Sequence, residues 1–201
     1  MKKESTRPRG RPLSFDREQV LDAAVLVFWD KGYEGASLDD LTHAMGINRP
    51  SLYSKFGNKH DLFMSAIDRY IETITSTQLV PLMDASDIRQ AISGYLRQVI
   101  ECVASKDWPA GCLVVCVATE VSERDEIVRS KVSGLLEWAE ELIANRIAEI
   151  SPGEALVRVK DPKKLSRIVA VIAQGLASRA RAGAAKDELL ELVDDFLDVL
   201  F

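Results

Sequence analysis

The chain has 201 residues, 47% hydrophobic and 28% charged, with three cysteines and a formal net charge of −5. That length and balance suit a globular protein with a sizeable core. They exclude a spanning helix, which needs ~20 largely uninterrupted apolar residues, and an odd cysteine count gives no disulfide framework. No apolar leader follows the basic start MKKESTRPRGRP, so the expected compartment is the reducing cytoplasm. The charge is unevenly placed. Residues 1–60 hold ten Lys or Arg against eight Asp or Glu, and the remainder sixteen against twenty-three. Any nucleic-acid contact therefore belongs to the N-terminal end.

Residues 1–14 are an irregular basic arm, since Pro8, Gly10 and Pro12 interrupt regular structure. RPRGRP resembles the core of an AT-hook, and Arg7, Arg9 and Arg11 are its candidates for a narrow A·T-rich minor groove. Asp16 can cap a helix over Arg17 to Lys31, whose buried stripe is Val20, Leu21, Ala24, Val27 and Phe28. The turn KGYEGAS leads into SLDDLTHAMGINRPSLYSKFGNKHDLF, the stretch that organises the chain. Ser37 caps a short helix carrying Leu38, Leu41 and Met45, and Gly46 stops it. Asn48 caps the next helix, with Pro50 in its first turn and Leu52, Tyr53 and Phe56 after it. Two helices this short need a third to pack on, and the upstream helix supplies it. Three helices with this turn are what a helix-turn-helix DNA reader requires.

A longer helix begins near Lys59 and is expected to end at Pro81, bridging the reader and the C-terminal part of the chain. Helices are expected over Asp87 to Ser105, Gly111 to Val121, Arg124 to Ile150, Pro162 to Ala182 and Lys186 to Leu200. The fold class is therefore all-α. The expected domains are the arm 1–14, a helix-turn-helix domain 15–62, and a helical effector-binding and dimerisation domain 63–201.

The residues Ala23, Ala24, Phe28, Gly32, Tyr33, Ser37, Leu38, Leu41, Gly46, Ile47, Leu52, Tyr53, Phe56, Lys59, Leu62 and Phe63 carry a resemblance to the TetR family of bacterial transcriptional regulators. LYSKF followed by Lys59 is its most specific part. The resemblance implies a homodimer that binds a palindromic double-stranded DNA operator, usually as a repressor released by an effector. It implies DNA contacts at Ser37, Asn48, Arg49, Ser51, Tyr53 and Lys59. Side-chain chemistry adds Lys55, which can reach phosphates or base edges, and Pro50 lies on the same short helix. No cofactor is implied.

Cys112 and Cys116 stand four apart, too far for a disulfide without unwinding, and both can be small buried hydrophobes. An alternative makes Cys112 an oxidant or electrophile sensor, because a helix start lowers a thiol pKa. GCLVVCVATEV also resembles a segment of a TetR subgroup with electrophile-responsive members. The only histidines, His43 and His60, lie in the reader, so no metal site is expected. No phosphate loop or nucleophile–His–acid set suggests an enzyme, and a constitutive architectural binder has no use for the larger domain. That domain offers space for a small-molecule or oxidant effector between helices, with Phe63, Ile67, Tyr70, Tyr95, Cys112, Val115 and Trp138 as expected lining. The last two helices are apolar along one broad face. Val169, Ile172, Ala173, Leu176 and Ala180, with Leu189, Leu192, Val193, Phe196 and Leu197, are the expected dimer interface.

Overall fold

The computed structural model describes residues 16–150 and 158–201, so Arg7, Arg9 and Arg11 lie outside the described residues. All regular structure within them is helical. Helix α1 (Arg17–Gly35) starts on Asp16, whose carboxylate accepts from the Glu18 amide at 3.0 Å. Gly32, at φ 74°, breaks its last turn, a conformation that glycine adopts without penalty. Helix α2 (Leu38–Ala44) begins with a capping box in which Ser37 and Asp40 satisfy each other's backbone amides. Helix α3 (Arg49–Phe56) starts on Asn48, with Pro50 in the first turn. The expected three-helix reader is present.

Helix α4 (Lys59–Tyr70) runs through a π-helical turn (Ile71–Thr75) into α5 (Ser76–Asp84). Pro81 therefore does not end this rod, as the sequence suggested; it lies inside α5. A proline usually breaks a helix by removing a donor and crowding the carbonyl four residues back. Here Leu79 and Leu82 are buried on either side of it. Gly94 of α6 (Ile88–Val103) leaves room for the ring: a Cβ there would lie 2.9 Å from that of Pro81. Packing of α5 on α6 outweighs the local preference.

A second π turn (Val114–Ala118) runs into α7 (Thr119–Ser122), followed by α8 (Glu126–Ile150), α9 (Pro162–Arg181) and α10 (Lys186–Leu200). No described helix is long and apolar enough to cross a membrane.

Two apolar clusters hold the molecule together. One contains Phe28, Trp29, Leu41, Leu52, Leu62, Phe63 and Tyr70 of the reader side, together with Leu113, Val114, Val117, Val128 and Val132. The other joins α5, α6, α9, α10 and the end of α8. The packing thus does not divide after Leu62, because Leu62, Phe63 and the rest of α4 share one core with the second π turn. Burying each large side chain contributes roughly 1.5–3 kcal/mol, so reader and larger domain cannot separate cheaply.

The expected dimer residues divide between two surfaces. Val169, Ala173, Leu176 and Ala180 of α9, and Leu189, Val193 and Leu197 of α10, are buried within the one chain. They seal α9 and α10 onto α6 and α8 within the single chain. Ile172, Leu192 and Phe196 are partly buried. The apolar residues left outward are Ile168 and Val171 on α9 and Val199 on α10, 40%, 61% and 66% exposed. Sequence alone could not separate two apolar stripes lying side by side on one helix.

Candidate functional site

The reader presents one face of α3 outward. Leu52 and Phe56 are buried and face the core, while Arg49, Pro50, Tyr53, Ser54 and Lys55 are exposed. Asn48 fixes the start of this helix: its side-chain oxygen accepts from the Ser51 amide at 2.9 Å. Gly46, at φ 64°, makes the turn from α2. A capped, proline-started helix on a packed core holds its outward side chains at fixed spacing.

Arg49 donates to Asp39 at 2.8 Å, with both side chains more than half exposed. Such a pair is worth little, about 0–1 kcal/mol, so a phosphate or base edge can replace the carboxylate. Lys59 lies 4.7 Å above the Tyr33 ring. The start of α4 is already capped, because Asn58 and Asp61 bond each other's amides at 3.0 Å. Ser37 is likewise engaged, its hydroxyl 2.6 Å from Asp40. Of the expected contact set, the structure brings Arg49, Pro50, Ser51, Tyr53 and Lys55 onto one helix, with Ser37, Asn48 and Lys59 at adjoining helix starts.

Several contacts tie this reader to the larger domain. Trp29 meets Tyr70 edge-on at 5.0 Å and stacks on Trp108 at 6.5 Å, and Trp108 donates to the Cys102 carbonyl at 2.8 Å. His60 at the start of α4 lies 2.8 Å from the Asp125 carboxylate. The Val128 amide holds the Asp125 carboxyl below its ordinary range, with His60 and the Ile127 amide adding to it. Arg181 at the end of α9 donates to the carbonyls of Ala110 and Asp30, at 3.3 and 3.1 Å.

The larger domain contains a cavity of about 80 Å³. Tyr95, Cys112 and Val115 line it, as expected. Phe63 and Ile67 do not; both are fully buried in the reader-side core. Tyr70 lies beside the cavity wall, its hydroxyl next to the Cys112 thiol. Trp138 is on the outer surface, 43% exposed, in a groove with Met83 and Leu142. The reason is helical phase: Leu135, Leu136 and Ala139 turn inward, and position 138 lies about 100° round the helix from the middle of that face.

The sequence reading missed Thr75, Gln78 and Gln174, which also line the cavity. A signal existed, because Gln78 comes after Ile71 and Ile74 at helical spacing, and Gln174 interrupts the stripe Ala170, Ala173, Ala177. Both π turns reach the cavity, through Thr75 and through Val114 and Val115. Such turns recur at functional sites.

Cys112 lacks the lowered thiol pKa on which the sensor alternative rests. Burial pushes its thiol up, and this outweighs the Tyr70 hydroxyl and the Val115 and Val114 amides that pull it down. Among the described residues no group of three or more His, Cys, Asp or Glu is arranged to hold a metal ion.

A helix-turn-helix reader joined through one helical rod to a larger cavity-bearing helical domain defines a class, that of DNA-binding transcriptional regulators. Residues 20–66 match the bacterial regulatory proteins of the tetR family, and residues 89–196 match the tetracyclin repressor-like C-terminal domain. The chain belongs to the TetR family. It is 31% identical over 185 residues to the HTH-type transcriptional repressor ComR of Escherichia coli, covering 92% of this chain and 88% of that one. With the HTH-type transcriptional repressor BdcR of Escherichia coli it shares 28% over 188 residues, 93% and 90% of the two chains. Among solved structures it resembles a cysteine-substituted form of the TetR family regulator CifR, complexed with 26-base-pair operator DNA. That likeness has a TM-score of 0.87 at 33% identity, covering 96% of this chain and 100% of the other.

Proposed function

We propose that the protein is a cytoplasmic, dimeric repressor that binds a palindromic operator through α3 and leaves it when a small molecule occupies the cavity. The observation that carries this reading is the outward face of α3. Arg49, Pro50, Tyr53 and Ser54 are exposed on a helix whose opposite side is fully buried, so the fold does not need them. ComR and BdcR are named repressors and CifR was crystallised on operator DNA, which supports the same role here.

The dimer face consists of Ile168, Val171 and Gly175 on α9 with Leu192, Phe196 and Val199 on α10. Gly175 has open space where a Cβ would stand, which allows a second helix to approach closely. A two-fold pair then sets two α3 helices about one DNA turn apart, ~34–36 Å.

Release is a matter of linkage: the effector must bind the non-binding arrangement better than the binding one. The π turn Ile71–Thr75 joins α4 of the reader to α5 and lines the cavity at Thr75. Filling the cavity acts on that joint, and hence on the spacing of the readers.

Selecting bound DNA from a random duplex pool tests the proposal. The expected product is an inverted repeat with half-sites one turn apart, bound roughly 10- to 100-fold more weakly by Arg49→Ala. A pool that never enriches removes it.

A second reading, an oxidant switch at Cys112, has one observation in its favour: the thiol borders both the cavity and Tyr70. Operator release by hypochlorite or a quinone is then lost in Cys112→Ser. The raised thiol favours the small-molecule reading, in which both proteins respond alike.

A further inference from the structure

We propose that the cavity takes a compact, electrically neutral molecule with one hydrogen-bonding end, of the size of an amide or alcohol with about three or four non-hydrogen atoms. The inference rests on the reading of the cavity as the effector site and goes further by naming the class of effector.

The lining carries no Asp, Glu, Lys, Arg or His among the described residues. Val99, Val103, Val114, Leu135 and Leu136 supply apolar walls, and Ala139, Ala170, Ala173 and Ala177 leave the space. The polar groups are all neutral: the Gln78 and Gln174 amides, the Thr75 hydroxyl and the Tyr95 phenol. Burial pushes Tyr95 up to about 12, with Cys112 adding to it, so the phenol stays protonated throughout the physiological range. Burial likewise raises Tyr70 well above its ordinary value.

An ion entering this space gives up its hydration and meets no opposite charge, which disfavours it strongly. A neutral polar group fares differently. A glutamine amide donates and accepts at once, so it pairs with a carbonyl, hydroxyl or amide of either polarity. Gln78, 8% exposed and one of only two buried polar residues among those described, sits on an otherwise apolar helical face. A leucine there would pack as well, which makes an unforced amide informative.

Volume sets the size. A cavity of roughly 150 Å³ lined by apolar side chains holds benzene. The space here is about 80 Å³, so the preformed site fits a molecule with a few non-hydrogen atoms. Rearrangement of the long Gln78 and Gln174 side chains extends it modestly.

The test uses three nearly isosteric probes on the full-length protein at pH 7: acetamide, acetate and ethylammonium, titrated by NMR. Acetamide is expected to bind at least roughly tenfold more tightly than either ion. Gln78→Leu and Gln174→Leu should each weaken it by about tenfold. Ala139→Met, which fills the space, should abolish binding, with Ala173→Val as the second filling variant should the first not fold. Equal or tighter binding of an ion, binding indifferent to both filling variants, or no binding of acetamide overturns the proposal. Failure of the underlying reading is distinguishable. A charged compound that releases operator from the parent but not from Ala139→Met keeps the cavity as effector site while discarding the neutral class, whereas release that is the same in parent and Ala139→Met moves the effector site off the cavity.

Discussion

Trp29 is the residue on which the two halves of the molecule meet. Its ring is 1% exposed and packs on Tyr70 and Trp108, yet its indole nitrogen is buried with no hydrogen-bond partner among the described residues. An unmet buried donor costs about 1–3 kcal/mol, while the ring itself contributes more than that by burial. Trp29→Phe is therefore expected to change stability by less than about 1.5 kcal/mol in denaturant, whereas Trp29→Ala should lose about 3–5. If phenylalanine costs as much as alanine, the nitrogen has a partner. Asp40 gives a pH-dependent counterpart. Lys31 and Ser37 hold its carboxyl well below the usual carboxylate range. A depressed folded pKa adds stability that is complete above the unfolded value near pH 4 and is lost as pH falls toward the folded one. The melting-temperature gap between parent and Asp40→Asn should be largest at pH 6–7 and narrow progressively below about pH 4.

At the scale of elements, two glycines mark close approaches, Gly94 against Pro81 and Gly111 against α9. Gly111 has φ 88°, and a Cβ there would meet the Arg181 Cβ and the Cys116 sulfur at 2.9 Å. It sets the second π turn against α9, beside the Arg181 bonds to Ala110 and Asp30. Gly111→Ala should cost roughly 1–3 kcal/mol through backbone strain and overpacking. Gly175, equally helical in sequence context but open, should behave oppositely: Gly175→Ala is expected to stabilise the isolated fold by about 0.5–1 kcal/mol. Urea denaturation of Gly111→Ala, and of Gly175→Ala compared with Gly175 in a Val171→Asp background that removes the proposed dimer, checks both signs. These contrasts explain what the sequence could reveal. Ser37, Gly46, Asn48 and Gly57 act on neighbours within a few residues, so the reader and its caps were legible. Pro81 and Cys112 are governed by residues far along the chain: Gly94 lets the proline stay inside α5, and the packed surroundings of the second π turn raise the thiol. Local rules gave the wrong answer at both.

For the whole molecule, the proposed dimer needs an outward apolar face, and seven of the ten residues expected to form it are buried in the chain's own core. What remains is the outward stripe of Ile168, Val171 and Val199, flanked by half-buried Ile172, Leu192 and Phe196. Val171 is the position that separates the alternatives. At 61% exposed it contributes little to the single chain, where surface substitutions usually stay within about 0.5 kcal/mol. In a dimer built on this face it becomes buried, and Val171→Asp would place an unpaired charge in an apolar interface. The expected outcome is an intact fold by circular dichroism, a monomer by sedimentation, and much weaker operator binding. Binding weakens because joining two readers makes the second contact intramolecular, an advantage of roughly 10²–10⁴ in affinity that a monomer forfeits. Phe196→Asp should give the same monomer with some loss of stability, because part of that ring packs on the core. A Val171→Asp protein that still sediments as a dimer and binds operator at parental affinity would move the interface off α9, and with it the positions of the two α3 helices relative to each other.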